Sequence, residues 1–275
     1  MMRLVSLINH LRTVKEIDPV QLFYPFEHQN RLMKSRKKYL FMIGSNRMGK
    51  SDWLVVDNTL YAEGRHPSGV KTEKNAKLWI VVLKNDMVDK VLMPKFRQYL
   101  KPGRWEYNDN KKTIYVKRGP YNWSEIEIKS QEAGRGSFEG ATVHRLSFDE
   151  QPLEEIFDSA LVRVIDTKAQ VLMAATMWEE GISWVYDRFI KPFMDGISTN
   201  VEFVTGRMDE NLILERSRID EFYRQLSLRN PEEAEVRVLG AMISLSGKCP
   251  FNMAALNMME NEAKPVETCE LMYGA

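Results

Sequence analysis

Residues 44–51 read GSNRMGKS, directly after the apolar run YLFMI. They fit G-x-x-x-x-G-K-[ST] at every fixed position, a spacing that serves phosphate binding. Gly44 and Gly49 let the backbone of Ser45, Asn46, Arg47 and Met48 turn its amides inward around phosphate oxygens. Lys50 supplies an ammonium for the β and γ phosphates, and the Ser51 hydroxyl a ligand for Mg²⁺. Arg47 either contacts the γ-phosphate or projects into solvent. The bland alternative is a strand-to-helix turn with a solvated lysine. A strand pattern before the loop and a helix pattern after it weigh against that.

A phosphate loop needs a second carboxylate site, and LSFDE at 146–150 supplies one. Asp149 ends an apolar strand, where it can hold Mg²⁺ through water. Glu150 follows and can polarise an attacking water. Asp-Glu pairs also occur at solvated strand ends, but this one lies downstream of a phosphate loop. Aspartate followed by glutamate points to hydrolysis with the base beside the metal ligand, rather than to a GTPase or kinase. VLMAAT is a buried strand ending at Thr176, whose hydroxyl either senses a γ-phosphate or caps the strand.

The elements that must hold these groups follow from periodicity. KKYLFMIG and AKLWIVVL read as short buried strands, and VHRLSF, AQVLMAAT and NVEFVTG as further strands. TIYVKR and SEIEIKS alternate and pair through GPYNW. GKSDWLVVDNTLYAEG, NDMVDKVLMPKFRQYL, ISWVYDRFI and ENLILERSRIDEFYRQL read as helices, as does LVSLINHLRTVKEI at the start. PEEAEVRVLG is a shorter helix with Gly240 as its C-cap. Buried strands alternating with helices predict an α/β fold, a mainly parallel sheet covered on both faces.

Composition sets the outer limits. The chain has 275 residues, 44% hydrophobic and 28% charged, with net charge +1. That suits one large domain, or a domain with a tail. No global basic field announces nucleic acid, so any such contact must be local. Cys249 and Cys269 have no CxxC spacing and read as free thiols in a reducing compartment. No apolar run reaches the ~18 residues of a spanning helix. The expectation is a soluble cytoplasmic protein.

Taken in order, these pieces resemble the ATPase domain of large terminase subunits of tailed bacteriophages, the motors that package viral DNA. The resemblance runs from about residue 25 to 251. YPFEHQNRLMKS is similar to the family's segment before the phosphate loop, where a glutamine recognises adenine; Gln29 matches it. GSNRMGKS resembles its Walker A motif and GRGSFEGATVHRLSFDEQP the stretch into Walker B. AATMWEEGISWVYDRF resembles the coupling motif. MDENLILERSRIDEF and EVRVLGAMISLSGKCPF resemble the segments that close the domain.

The resemblance implies a P-loop NTPase of the additional-strand type, with a small lid subdomain within about 191–240. It implies ATP and Mg²⁺ as cofactors, and a homo-oligomeric ring with ATP sites near subunit contacts, possible as a monomer in isolation. Arg135 becomes the preferred finger acting on a neighbour's ATP, with Arg163 as runner-up. The implied partners are double-stranded DNA held weakly and without sequence preference, the portal protein and procapsid, the small terminase subunit, and a nuclease domain or subunit. The implied place is the host cytoplasm at the portal, not the virion or a membrane. Candidate DNA contacts are Lys191, Arg216, Arg218 and Arg224.

One departure stands out. Only 35 residues follow Gly240 and they contain no aspartate, so residues 241–275 read as a linker or tail without the clustered aspartates of a nuclease. Two other functions compete. A superfamily-2-type helicase ATPase shares the phosphate loop and Asp-Glu pair but needs a second RecA-like domain. A nucleotide-dependent scaffold of the packaging complex would be free to lose Lys50, Asp149 and Glu150.

Overall fold

The computed structural model describes residues 2–176, 183–240, 242–243 and 250–251. Among these, one sheet takes in β1 (Tyr39–Ile43), β2 (Lys77–Val82), β3 (Trp105–Asn108), β4 (Thr113–Gly119), β5 (Asn122–Ser130), β6 (Arg145–Asp149), β7 (Gln170–Ala175) and β8 (Val201–Val204). Its order is β3-β4-β5-β2-β6-β7-β1-β8. From β5 to β8 every pairing is parallel, and β3 and β4 extend the sheet as antiparallel strands. β7 stands between the phosphate-loop strand β1 and the Asp149 strand β6. That interposed strand defines the additional-strand P-loop fold that the sequence led us to expect.

The helices are α1 (Met2–Ile17), α2 (Glu27–Lys34), α3 (Lys50–Ala62), α4 (Met93–Tyr99), α5 (Glu154–Leu161), α6 (Ser183–Val185), α7 (Lys191–Met194), α8 (Arg216–Arg229) and α9 (Pro231–Ala234). Strand alternation divides the core into two layers. Leu40, Met42, Leu78, Ile80 and Leu172 pack on one face against Trp53, Leu54 and Val55 of α3 and Phe96 of α4. Phe41, Ile43, Trp79, Val81 and Met173 pack on the other against Ile156 and Phe157 of α5 and Val185, Phe189 and Ile190. Each such side chain contributes about 1.5–3 kcal/mol relative to exposure.

A third, small cluster gathers Met208, Ile219 and Val238, with Leu214, Tyr223 and Leu239 against it. This is the lid. Within the expected range 191–240, however, α7 and β8 belong to the main body: Phe193 and Phe203 join the second layer.

ENLILERSRIDEFYRQL is not one helix. α8 starts at Arg216, because the Asn211 side chain accepts from Ile213 N (3.0 Å) and donates to Arg47 O (2.6 Å), turning the chain before it. Leu212 and Ile213 are left exposed. β3 was not expected: a four-residue edge strand with little burial leaves a faint periodic signal. The Gly240 cap is as expected, with φ 69°. Residues 177–182 of the coupling segment, both cysteines and most of the tail lie outside the described residues. No described helix is long and apolar enough to cross a membrane.

Candidate active site

The parallel strands end at one edge, and the phosphate-loop chemistry collects there. β1 runs into the loop, and α3 begins at Lys50. Gly49 sits at φ 86°, a conformation glycine adopts without steric cost, and a Cβ there would lie 2.6 Å from Gln29 Nε2. Gln29 is buried, and its amide serves two backbone groups: Oε1 accepts from Phe26 N (2.8 Å) and Nε2 donates to Gly49 O (3.0 Å). Gln29 thus braces α2 against the phosphate loop. His28, which sequence reasoning passed over, adds a second brace, with Nε2 3.4 Å from Met48 O.

The first part of the loop faces protein rather than ligand. Gly44 N donates to Ala175 O (3.1 Å), Ser45 N to Gly206 O (3.0 Å) and Asn46 N to Arg237 O (2.7 Å). A Cβ on Gly44 would stand 2.6 Å from Gly206 O. The expectation that Gly44, Ser45 and Asn46 cradle phosphate through their amides is therefore corrected: those donors are spent on β7 and the lid. The amides from Arg47 to Ser51 sit where the loop turns into the open first turn of α3, whose leading N–H groups have no intrahelical partner. Met48 is buried, so its side chain takes no part. Arg47 is exposed at φ 62°.

Lys50 lies inside the loop, with Nζ donating to Ser45 O (2.7 Å) and Gly44 O (3.2 Å). Burial pulls its pKa below the ordinary lysine value, against the attraction of Glu150 and Asp149. Ser51 Oγ donates to Asp149 Oδ1 at 3.0 Å, so hydroxyl and carboxylate converge as a hard-cation donor pair requires. Among the described residues no cluster of three or more His, Cys, Asp or Glu side chains could hold a metal by itself. The donor set fits a cation that shares its ligands with a phosphate.

Glu150 has φ 80°, which for a non-glycine residue costs about 1–3 kcal/mol. Its N donates to Ala174 O (2.8 Å), and its Oε2 accepts from Thr176 N (2.7 Å). Thr176 Oγ1 bonds to Asn46 Oδ1 (3.2 Å), so the ends of β6 and β7 are tied to the loop.

Two arginines separate by edge. Arg135 is exposed in the turn Arg135–Phe138 after β5, on the same edge as the phosphate loop. The turn is anchored by Phe138, buried edge-on against Trp79 at 6.0 Å. Trp79 belongs to β2, and Gln131 Oε1 just ahead of the turn accepts from Leu153 N (3.2 Å), so the segment lies over β2 and beside the chain that leaves β6. Arg163 lies at the opposite edge: its carbonyl accepts from Val143 N (2.9 Å), just before β6 begins. The α8 arginines are not free cations either. Arg216 pairs with Asp209, Arg218 with Glu215 and Arg224 with Glu221. Lys191 is exposed on α7.

Burial also pushes the Asp149 carboxyl above its usual value, against the Ser51 hydrogen bond and Lys50. A carboxyl raised in the folded state costs stability increasingly as pH climbs from its unfolded value near 4 through the higher folded one. Asp149→Asn is therefore expected to raise the ligand-free unfolding temperature at pH 7 above that of the parent. The same variant should lose the extra stabilisation that Mg²⁺ adds to bound nucleotide. Thermal melts with and without MgATP measure both.

No protein-family model matches the chain. No curated protein matches it either. Solved structures do. The large terminase of a thermophilic bacteriophage, in complex with ADP, is 17% identical with a TM-score of 0.64, over 80% of this chain and 54% of that one. The ATPase domain of the Thermus phage P74-26 large terminase is 17% identical with a TM-score of 0.62, over 82% of this chain and 96% of that domain. The HK97 bacteriophage large terminase is 12% identical with a TM-score of 0.59, over 83% of this chain and 53% of that one. The chain spans about half the length of the ADP-bound terminase and of the HK97 protein. At these identities the likeness is one of architecture: the chain has the fold of large terminase ATPase domains, an additional-strand P-loop NTPase with a small lid.

Proposed function

We propose that this chain is an ATPase, the motor part of a machine that drives double-stranded viral DNA into a procapsid. The observation that carries the reading is the convergence of Lys50, Ser51, Asp149 and Glu150 at one sheet edge, in the fold described above. The amides of residues 47–51 and Lys50 would hold the phosphates, and Gln29 would keep the loop in shape beside the base. Ser51 and Asp149 would hold Mg²⁺, which supplies charge neutralisation on the β and γ oxygens. Glu150, oriented by the Thr176 amide, would accept a proton from the attacking water.

The stimulating arginine would come from a second subunit. Arg135 is exposed on the edge of the sheet that carries the phosphate loop, open to a neighbouring subunit, which supports action in trans within a ring. Portal protein, procapsid, small terminase subunit and a nuclease part complete the proposed assembly. With the α8 arginines paired to carboxylates, the grip on DNA from one subunit is weak.

The test is ATP turnover per subunit against protein concentration. It is expected to rise with concentration, and mixtures of Arg135→Ala with Glu150→Ala subunits should recover activity that neither variant shows alone. Flat turnover from a strict monomer, with no recovery on mixing, would overturn action in trans. No ATP turnover at any concentration, with duplex DNA present or absent, would overturn the ATPase reading.

A further inference from the structure

β6 departs from the other central strands. Leu146 and Phe148 enter the apolar layer against α5, but Arg145, Ser147 and Asp149 on the opposite face meet polar side chains of α3. The contacts form three rungs. Ser51 Oγ donates to Asp149 at the top. In the middle, Asn58 Nδ2 donates to Ser147 Oγ (2.9 Å), and Ser147 Oγ lies 3.2 Å from Asn58 Oδ1. At the bottom, Arg145 pairs with Asp57. Asp57, Asn58, Arg145 and Ser147 all have 0% exposure.

The bottom rung is itself held in place. His66 Nε2 lies 2.9 Å from Asp57 Oδ2, and Ser68 Oγ lies 2.8 Å from His66 Nδ1. Arg145 Nη1 donates to Gln170 Oε1 (2.9 Å), and its guanidinium stacks 4.8 Å from the Tyr61 ring. Gln170 Nε2 donates in turn to Lys37 O (2.9 Å), ahead of β1. Burial pushes Asp57 up, but Arg145 and His66 outweigh it and hold the carboxyl below its usual value.

Buried ion pairs seldom add stability beyond what well-packed apolar groups give. Hydrogen bonds are directional, however, and fix relative position where apolar contacts can slide. We infer that Asp57, Asn58, Arg145 and Ser147 are positioning residues that set the separation of the Ser51 hydroxyl from the Asp149 carboxylate. They thereby set how tightly the site takes a divalent cation with its nucleotide. The inference rests on the ATPase reading. An error of about 1 Å in such a pair costs up to ~10²-fold in rate.

The middle rung allows a clean test. The double variant Asn58→Leu with Ser147→Ala removes both polar partners together and leaves neither unsatisfied. Three quantities are read: the ligand-free melting temperature, the Mg²⁺ concentration that gives half of the nucleotide-induced thermal shift, and kcat against KM for ATP. The expected result is a melt within a few degrees of the parent and nucleotide binding in EDTA unchanged. The Mg²⁺ requirement should rise about ten-fold or more, with a fall in kcat rather than a rise in KM. If the double variant does not fold, Ser147→Ala alone serves, because Asn58 keeps its bond to Leu54 O (2.8 Å). A lowered melt with an unchanged Mg²⁺ requirement would show a merely structural role and overturn the inference, as would a variant identical to the parent. A parent that binds MgATP without hydrolysing it would instead defeat the ATPase reading, and the Mg²⁺ dependence of the melt would still test the rungs.

Discussion

Replacing Glu150 by alanine is expected to slow ATP turnover by at least ~10²-fold and to leave nucleotide affinity unchanged. The factor is the low end for a positioned general base. The carboxylate is held by the Thr176 amide at 2.7 Å, and its φ of 80° keeps the residue in a conformation that side chains rarely adopt. Backbone strain of this kind persists where the surroundings enforce it, here through the bond from Glu150 N to Ala174 O. Alanine at the same φ carries a similar strain, so the fold and the phosphate contacts should survive. Steady-state turnover and titration with a fluorescent nucleotide separate the two effects. A parallel loss of binding and turnover would show that Glu150 supports the site rather than the water.

Lys50→Ala is expected to abolish measurable nucleotide binding, a weakening of at least ~10²-fold. Charge-assisted hydrogen bonds contribute about 1.5–3 kcal/mol each, and an ammonium between the β and γ phosphates makes more than one. The ligand-free protein should respond in the opposite sense. Burial lowers the Lys50 pKa, so folding disfavours the charged form, a cost that fades only as pH rises from the lowered folded value to the unfolded one. Removing the ammonium should leave the ligand-free melt unchanged or raise it, while the melt no longer moves when MgATP is added. A variant that melts lower and still shifts with nucleotide would assign Lys50 to the fold instead of the phosphates.

The gathering of Lys50, Ser51, Asp149 and Glu150 at the sheet edge was legible in the sequence because each segment that supplies them is contiguous. GSNRMGKS and LSFDE each place their polar groups within one turn or strand end, and short unbroken apolar runs such as KLWIVV announce the strands that aim them. The hairpin through GPYNW and the Gly240 cap were local for the same reason. What depends on long-range pairing was not legible. Only the strand order shows that Arg135 stands at the same edge as the phosphate loop and Arg163 at the opposite one. The amides of Ser45 and Asn46 turn to carbonyls at Gly206 and Arg237, far along the chain. Gln29, expected at the base, braces Gly49 O across 20 residues, a contact that no local pattern encodes. The rung between Asn58 and Ser147 joins residues 89 apart. Its trace in the sequence is a serine and an arginine on alternate positions of a buried strand. Short-range spacing decides which groups can act; tertiary packing, by choosing which distant backbone and side-chain groups satisfy each buried donor, decides which of them face the ligand.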